Sequence, residues 1–261
     1  MTDLFSLPLV GPKAFAVWGR NIRVWLKGAV WSSLLGELLE PILYLVFLGT
    51  GIGAFIPEME GATYLEYVAP GLLVMGAMWS SSFENTYGSF TRMDRQKTYS
   101  AIVVTPVTME EVVAGDILWG ATKGLVAGAM MILVSGVLGI AKFPAALLCL
   151  PLSMLIGLVF ASMALTVTAL AHNYEFFAYY FTVVLTPMFF ISGTWFPVST
   201  LPGPVQPLSE ALPMTQGVTA ARLLMAGRLD FEILPCLAWL LLYLFVFFTI
   251  SVNLVRRRLI R

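Results

Sequence analysis

Charged residues and the usual catalytic side chains are scarce in this chain. Asp, Glu, Lys and Arg make up 11% of its 261 residues, and it has one histidine and two cysteines. The single histidine, His172, excludes a His-Glu-x-x-His zinc site. The phosphate loop Gly-x-x-x-x-Gly-Lys-Ser/Thr and the nucleophile elbow Gly-x-Ser-x-Gly are both absent. We therefore expect no enzyme activity, metal or cofactor in this chain, and its zero net charge predicts no nucleic-acid partner.

Apolar residues, by contrast, form long runs. Hydrophobic residues are 59% of the chain, and about 20 in a row let a helix cross a bilayer. Six such runs occur, at residues 34–56, 66–88, 112–138, 145–170, 176–196 and 233–254. They predict an all-α membrane protein with six transmembrane helices, a single domain over residues 1–261 and a bundle over residues 34–254. Cys149 and Cys236 fall within runs toward the same leaflet, either as buried free thiols or as a disulfide.

The basic residues are distributed unevenly between the two sides of such a bundle. Eleven of the fifteen Lys and Arg residues fall in three clusters on one side: Lys13, Arg20, Arg23 and Lys27; Arg92, Arg95 and Lys97; and Arg256, Arg257, Arg258 and Arg261. The other side receives only Lys142, Arg222 and Arg228, and Lys123 lies within a run. Because basic residues in short loops stay in the cytoplasm, the pattern predicts a bacterial inner-membrane protein with both termini cytoplasmic.

Residues 12–29 precede the first run and predict an amphipathic helix. Pro12 suits a first helical position, and apolar side chains recur at spacings of three and four opposite a basic face. The apolar positions are Phe15, Trp18, Ile22, Trp25 and Leu26, and the basic ones are Arg20, Arg23 and Lys27. Such a helix lies in the membrane interface, where it contacts lipid headgroups or a cytosolic protein.

Two carboxylates, Glu37 and Glu40, interrupt the first run. Both carboxylates lie inside the hydrocarbon core of the bilayer if that core begins near Ser33. Both lie at the membrane interface if it begins near Pro41. Proline is favoured in the first turn of a helix, which favours the second arrangement.

The loop between the second and third runs, residues 91–111, contains signals for a short helix and a new helix start. We expect a helix over about residues 91–103 and a break at Pro106. Thr108 followed by Glu111 predicts a capping box at the start of the third run.

The third run itself contains three glycines at a spacing of four, Gly120, Gly124 and Gly128. Glycines on one face let helix backbones approach closely in lipid, so they predict a packing seam. Asp116 and Lys123 are seven residues apart on one face, and we expect them to pair with each other or with neighbouring helices.

A proline-rich but apolar segment separates the fifth and sixth runs, at residues 193–227. It contains five of the fifteen prolines: Pro197, Pro202, Pro204, Pro207 and Pro213. Non-helical backbone within the membrane is tolerated only where other parts of the protein cover it. We therefore expect short re-entrant helices in the outer leaflet. An amphipathic stretch that ends at Gly227 follows.

Transport is the function class that these features favour. Carboxylates within membrane helices mark ion paths in some transporters, and Glu37, Glu40, Glu84 and Asp116 are candidates. Yet the sequence has no two halves with matching broken helices, which many secondary transporters show. An ion-gradient-driven secondary transporter is therefore the alternative interpretation.

Several stretches resemble one family of transporters. They are SLLGELLEPILYLVFLGTGIG at residues 33–53, FENTY at 83–87, ATK at 121–123, TPMFFISGTWFPV at 186–198 and RRRLIR at 256–261. These stretches, with the basic helix, the long loop and the proline-rich segment, are similar to the membrane subunits of type-2 ABC exporters. Within that group the chain resembles the NodJ-type permeases, which are linked to lipo-oligosaccharide export.

The resemblance implies partners for this chain and the residues that contact them. It implies a homodimer of this chain with two copies of a separate NodI-like subunit, which binds ATP and Mg. The loop at residues 91–111 would hold a coupling helix that docks on that ATPase, with the turn at residues 172–175 as a second contact. The coupling residues implied are Arg92, Asp94, Arg95, Lys97, Thr98, Glu110, Glu111 and His172.

The resemblance also implies a groove at the dimer seam, formed chiefly by the second and fifth runs. The residues expected along the substrate path are Glu40, Trp79, Phe83, Glu84, Tyr87, Phe189 and Phe190. The expected cargo is an amphipathic molecule such as a lipo-oligosaccharide, a lipid-linked polysaccharide or a drug-like compound, moved outward. Membrane lipid would surround the pathway.

Overall fold

The computed structural model describes residues 8–56 and 58–259, so Arg261 of the third basic cluster lies outside the described residues. Most of the described chain is helical. The α-helices are α1 (Ala14–Gly28), α2 (Val30–Thr50), α3 (Ile52–Phe55), α4 (Tyr64–Phe83), α5 (Thr98–Val103), α6 (Met109–Val137), α7 (Cys149–Leu170), α8 (Phe176–Tyr179), α9 (Thr186–Ile191), α10 (Val205–Ala211), α11 (Pro213–Met225) and α12 (Ile233–Leu259). The other helical segments are π-helical at Glu84–Gly88, Thr91–Arg95 and Tyr180–Leu185, and 3-10 at Ala145–Leu148 and Val198–Thr200.

Several helices have the length and apolarity needed to cross a membrane. By these two criteria the described residues contain four such helices: Val30–Phe55, Met109–Val137, Ala145–Leu170 and Ile233–Leu259. A shorter apolar helix spans Phe176–Ile191. The second predicted span corresponds to α4, whose residues are mostly buried against other helices and so need not be apolar toward lipid. The chain is a multi-pass membrane protein, and its six crossings stay a prediction.

A small β-hairpin departs from the all-α prediction. Its strands, β1 (Glu58–Met59) and β2 (Ala62–Thr63), pair antiparallel, with Glu58 opposite Thr63. Both turn residues have a positive φ, 51° at Glu60 and 78° at Gly61, which suits a two-residue hairpin turn. The hairpin leads directly into α4, where Thr63 and Glu66 form a capping box.

The centre of the molecule is a three-helix contact among α4, α6 and α7. The three spaced glycines of α6 lie in this contact. A methyl group on Gly120 would lie 1.6 Å from Oδ1 of Asn85, and one on Gly128 would lie 2.1 Å from Oγ of Ser153. Gly124 lies between the backbones of Ala77 and Gly157. A larger side chain at Gly120 or Gly128 therefore requires the facing side chain or its helix to move.

The amphipathic helix predicted at residues 12–29 is confirmed as α1, and it packs on the first turns of α6. Ala14, Val17 and Asn21 are buried, while Phe15 is exposed. A methyl group on Gly115 of α6 would lie 2.5 Å from the backbone oxygen of Ala14, so this glycine permits the close approach. α1 is therefore attached to α6 by this face and by Trp18, whose Nε1 donates to Thr122 Oγ1 at 2.9 Å, while Phe15 and Leu26 stay exposed for the membrane interface.

The preferred placement of Pro41 is wrong. Pro41 lies inside α2, which begins at Val30. Glu37 and Glu40 therefore belong to the helix itself. Because Pro41 has no N–H, its place in the helix interior costs the backbone hydrogen bond that this group would have made.

The loop at residues 91–111 contains two short helical pieces where one helix was expected. Lys97 adopts a left-handed conformation with a φ of 54°, and it separates the π-helical segment Thr91–Arg95 from α5. The capping box at the start of α6 is confirmed: the amide of Glu111 donates to Thr108 Oγ1 at 3.3 Å, and the amide of Thr108 donates to Glu111 Oε2 at 2.9 Å.

The proline-rich segment forms short helices, as expected, although its depth in a membrane stays a prediction. Within this segment the end of α10 is attached to α12, since Trp239 Nε1 donates to the backbone oxygen of Ala211 at 2.7 Å. Both cysteines are free and buried. Cys149 Sγ lies 3.9 Å from the backbone oxygen of Ala221 in α11, so the thiol packs between α7 and this segment.

Candidate groove and buried polar network

Aromatic rings line one side of α4 and its π-helical extension. Trp79, Phe83 and Tyr87 follow each other at a spacing of four, and their rings meet Phe181 of the π-helical segment Tyr180–Leu185. Phe181 lies 5.1 Å from Trp79 and 4.6 Å from Phe83, measured between ring centroids. Phe83 keeps half of its surface exposed. Phe181 was not among the predicted groove residues, although it lies in the fifth apolar run, four positions after Phe177.

Phe189 and Phe190 lie elsewhere. Phe189 is buried, with its ring centroid 5.3 Å from that of Trp195 in the proline-rich segment, and Phe190 is half-exposed beside it. The structure therefore groups these two rings with the proline-rich segment and not with Trp79 and Phe83. The fifth run contributes Phe181 to the groove in their place.

A cavity of about 440 Å³ adjoins the exposed rings. Its lining includes Glu37, Glu40, Trp79, Phe83, Glu84 and Lys123. Ser80 Oγ donates to Glu37 Oε1 at 2.6 Å, which joins α2 to α4 across this cavity. The cavity thus presents carboxylates beside aromatic faces. This combination suits a ligand that carries hydrogen-bond donors next to an apolar surface. We name this cavity and the four rings Trp79, Phe83, Tyr87 and Phe181 the groove.

Lys123 and Asp116 do not pair with each other. The ammonium of Lys123 donates to Ser33 Oγ and lies over two indole rings, 5.1 Å from the centroid of Trp25 and 5.9 Å from that of Trp119. Lys123 thus joins α1, α2 and α6 beside the groove.

Asp116 is the centre of a buried polar network, and only 1% of its surface is exposed. Its carboxylate accepts hydrogen bonds from Asn21 Nδ2 at 2.9 Å, Ser89 Oγ at 2.6 Å and Tyr99 OH at 2.5 Å. Arg92 forms an ion pair with it at 2.9 Å. These partners come from α1, from the helical continuation of α4 and from α5, so one carboxylate joins three segments to α6.

Arg92 extends the network to the groove. Its Nη1 donates to Glu84 Oε1 at 2.6 Å, and Glu84 lines the cavity. Burial opposes the charged guanidinium, but Asp116 and Glu84 outweigh that effect and raise the pKa of Arg92 above its ordinary value. Burial, followed by the nearby Asp116, raises the pKa of Tyr99, so its hydroxyl stays protonated as a donor. A continuous chain of contacts therefore runs from Tyr99 of α5 to Glu84 in the groove.

The predicted coupling residues divide into buried and accessible ones. Arg92 lies inside the network, and Glu111 is buried in its capping box. Arg95, Lys97 and His172 are exposed, whereas Asp94, Thr98 and Glu110 are half-buried. Arg92 was predicted to contact the ATPase, but in the structure its guanidinium binds Glu84 and Asp116 within the chain.

The accessible residues form one surface with the turn at residues 172–175. The guanidinium of Arg95 lies 5.8 Å from the ring centroid of Tyr174, whose hydroxyl is 2.8 Å from Thr91 Oγ1. The end of α12 adjoins the same surface, since Arg258 lies 3.7 Å from Asp94 and Arg256 lies 3.4 Å from Glu110. We name Asp94, Arg95, Lys97, Thr98, Glu110 and His172 the basic-end surface.

Known proteins are similar to this chain over nearly its whole length. Nodulation protein J of Rhizobium meliloti (strain 1021) is 40% identical over 97% of each chain, and nodulation protein J of Rhizobium leguminosarum bv. viciae is 38% identical over 98% of each. The inner membrane transport permease YadH of Escherichia coli (strain K12) is 24% identical over 93% of this chain and 94% of its own. The ABC-2 type transporter family matches residues 13–226. The chain therefore belongs to the ABC-2 type transporter family, and within it is similar to nodulation protein J.

Proposed function

We propose that this chain is the permease subunit of an ATP-driven exporter in the bacterial inner membrane, with both termini in the cytoplasm. Two copies form the pathway, and two copies of a NodI-like subunit bind ATP and Mg and supply the energy. Since the sequence has no phosphate loop, ATP must be bound by another subunit. Family membership and the basic-residue distribution support this assignment.

The groove is the observation that favours an amphipathic cargo such as a lipo-oligosaccharide. The half-exposed ring of Phe83 and the neighbouring ring of Trp79 offer apolar faces on which sugar rings or an acyl chain can pack. Glu37 and Glu40 offer acceptors for hydroxyl or amide groups on the same cargo. A cargo with both polar and apolar parts uses both features.

The second copy would cover apolar surface that the single chain leaves open. α2 and α12 are the least buried of the long apolar helices. The exposed side chains of α2 include Leu35, Leu39, Leu43 and Phe47, and they adjoin the groove through Glu40. Surface of this kind faces lipid or a second chain, and at this place a second chain would close the groove from the side.

Replacing Phe83 by Ala should reduce export by about fivefold, because a half-exposed ring that stacks on cargo contributes about 1 kcal/mol. Export would be measured as ATP-dependent movement of a fluorescent lipo-oligosaccharide in proteoliposomes that hold the chain and its ATPase. Phe245→Ala serves as the control, because Phe245 lies on α12 and is exposed to a similar degree, 58% against 50%.

Equal export by wild type and Phe83→Ala would contradict the placement of the cargo. Movement that follows a proton or sodium gradient and persists with an ATPase-dead partner would instead establish the secondary transporter.

Reversing both exposed charges of the basic-end surface, with Arg95→Glu and Lys97→Glu, should lower co-purification of the ATPase severalfold, because exposed charges steer and orient docking. The measurement is the ratio of ATPase to permease after affinity purification of the permease. A control chain carries Glu210→Lys and Glu232→Lys, two reversals near α10 and the start of α12. An unchanged ratio in the Arg95 and Lys97 variant would show that these charges serve only to orient the chain in the membrane.

A further inference from the structure

A second cavity lies beside the β-hairpin, at the opposite end of α4 from the polar network. Its volume is about 360 Å³, and its lining includes Glu60, Tyr67, Lys142, Arg222 and Arg228. We propose that this cavity binds a phosphate ester, supplied by the headgroup of an anionic phospholipid or by a soluble compound. The proposed orientation places the site at the outer face of the membrane.

The convergence of basic residues is the first argument. Lys142, Arg222 and Arg228 are the three basic residues that the sequence places on the outer side, and all three line this one cavity. Lys142 follows α6, Arg222 lies in α11 and Arg228 follows α11, so separate parts of the chain bring them together. Basic residues are disfavoured in short outer loops, so their presence at one place needs a local reason. An anion in the cavity supplies that reason.

The guanidinium of Arg222 keeps N–H groups that have no acceptor within the described residues. The group lies 4.0 Å from the ring centroid of Tyr67, and Nη2 donates to the backbone oxygen of Gly193 at 2.8 Å. A guanidinium has five N–H donors, and within the described residues Nε is buried without a partner. Nη1 has no hydrogen bond there either. A phosphate oxygen in the cavity can accept a charge-assisted hydrogen bond from Nη1.

Two carboxylates, Glu60 and Glu66, also line the cavity. Glu66 is occupied by the capping box, where its Oε2 accepts from the amide and the hydroxyl of Thr63, each at 2.9 Å. Glu60 lies on the exposed hairpin turn. Arg228 pairs with Asp230 at 3.1 Å, but this pair is solvent-exposed and therefore weak. Three cations and two carboxylates line the cavity, and Asp230 pairs with Arg228, so binding of an anion depends on the donors that Arg222 keeps without an acceptor.

The size and remaining lining favour a phosphate ester over free phosphate. Cavities that bind small organic ligands commonly measure about 300–1,000 Å³, and this one lies within that range. Met59, Ile140 and Met225 provide an apolar wall. A glycerol or sugar group esterified to the phosphate would pack against that wall while the phosphate meets the basic residues.

Native mass spectrometry of the purified full chain in detergent tests the proposal. The probes are phosphatidylglycerol, zwitterionic phosphatidylcholine and, as a competitor, glycerol 3-phosphate. Lys142→Gln combined with Arg228→Gln removes two exposed charges, so the fold should persist, and Arg222→Lys keeps the charge but removes the guanidinium. Arg95→Gln with Lys97→Gln removes two exposed charges at the other end of the bundle.

We expect wild type to retain one phosphatidylglycerol per chain in preference to phosphatidylcholine. The double variant at Lys142 and Arg228 should bind phosphatidylglycerol about tenfold more weakly, Arg222→Lys should also weaken binding, and the control should bind as wild type does. Competition by glycerol 3-phosphate would assign the site to soluble phosphate esters, and its failure to compete would assign the site to lipid.

Equal affinity of wild type and the double variant, or no preference over phosphatidylcholine, would overturn the proposal. Because binding is measured on the chain alone, that result would leave the proposed export function untouched.

Discussion

Replacing Asp116 by Asn should lower export per ATP hydrolysed by at least about tenfold. The amide keeps the size of the carboxylate but removes the charge that Arg92 binds. Depriving a buried cation of its partner costs about 3–5 kcal/mol, and Glu84 offsets part of that loss because it also binds Arg92. A change of about 1.4 kcal/mol in an activation free energy corresponds to a factor of ten in rate. Export and ATP hydrolysis would be measured in the same proteoliposomes, so that their ratio reports coupling.

The matched control lies on the same helix. Ser135 of α6 is buried, and its hydroxyl has no partner among the described residues, so Ser135→Ala should leave the ratio unchanged. Tyr99→Phe should give an intermediate loss, since it removes one of the donors to Asp116. Combining it with Asp116→Asn should add little, because the two residues share one network. Normal ratios in both single variants would show that the network only stabilises the fold.

Replacing Gly120 by Ala should strongly reduce the yield of folded protein. The added methyl would lie 1.6 Å from Asn85 Oδ1 and 3.1 Å from the Cβ of Ala161, so either the buried side chain of Asn85 or α6 itself must move. Overpacking of this kind costs typically about 1–3 kcal/mol. Here it would also displace Asn85, whose side chain donates to the backbone oxygen of Asp116 at 3.2 Å. The measurement is the monodisperse fraction in detergent and its thermal midpoint.

Gly36→Ala is the control for this substitution, because a methyl at Gly36 of α2 meets nothing within 4 Å. A second test uses Gly128→Ala, which should be rescued by Ser153→Gly. Ser153→Ala should not suffice, since the Cβ of Ser153 itself lies 2.5 Å from the added methyl. Full stability of Gly120→Ala would mean that the seam is looser than these distances imply.

Local patterns predicted local structure well in this chain. The capping box at Thr108 and Glu111 and the amphipathic helix α1 depend on residues three or four apart, and both were recognisable. Pro41 was misplaced because a proline fits either the first turn of a helix or, at greater cost, its interior. Local propensity favours the first position, but α2 continues through Pro41, which is buried against its neighbours.

The polar network was beyond sequence reasoning because its members are far apart in the chain. Asn21, Tyr99 and Asp116 lie in three segments, and no spacing rule connects them. Because Asp116 and Lys123 share a helix face, the sequence left open whether they pair with each other or with neighbouring helices. The structure has the second arrangement: Lys123 lies over the rings of Trp25 and Trp119, and Arg92 pairs with Asp116. The same limit explains why Phe181 was missed.

The π-helical segment Glu84–Gly88 has a consequence for how the lengths of related permeases should vary. A π turn holds one residue more than an α turn, so deleting a single residue here would restore a regular helix without breaking the chain's path. The deletion would leave Trp79 and Phe83 in nearly the same orientation relative to Arg92, because the π turn absorbs the extra residue, whereas a deletion in an α-helical turn would rotate them by about 100°. The segment thus keeps the cargo face above it in phase with the polar contacts below. A permease one residue shorter at this point should present the same face to its cargo, with a regular helix in place of the π turn.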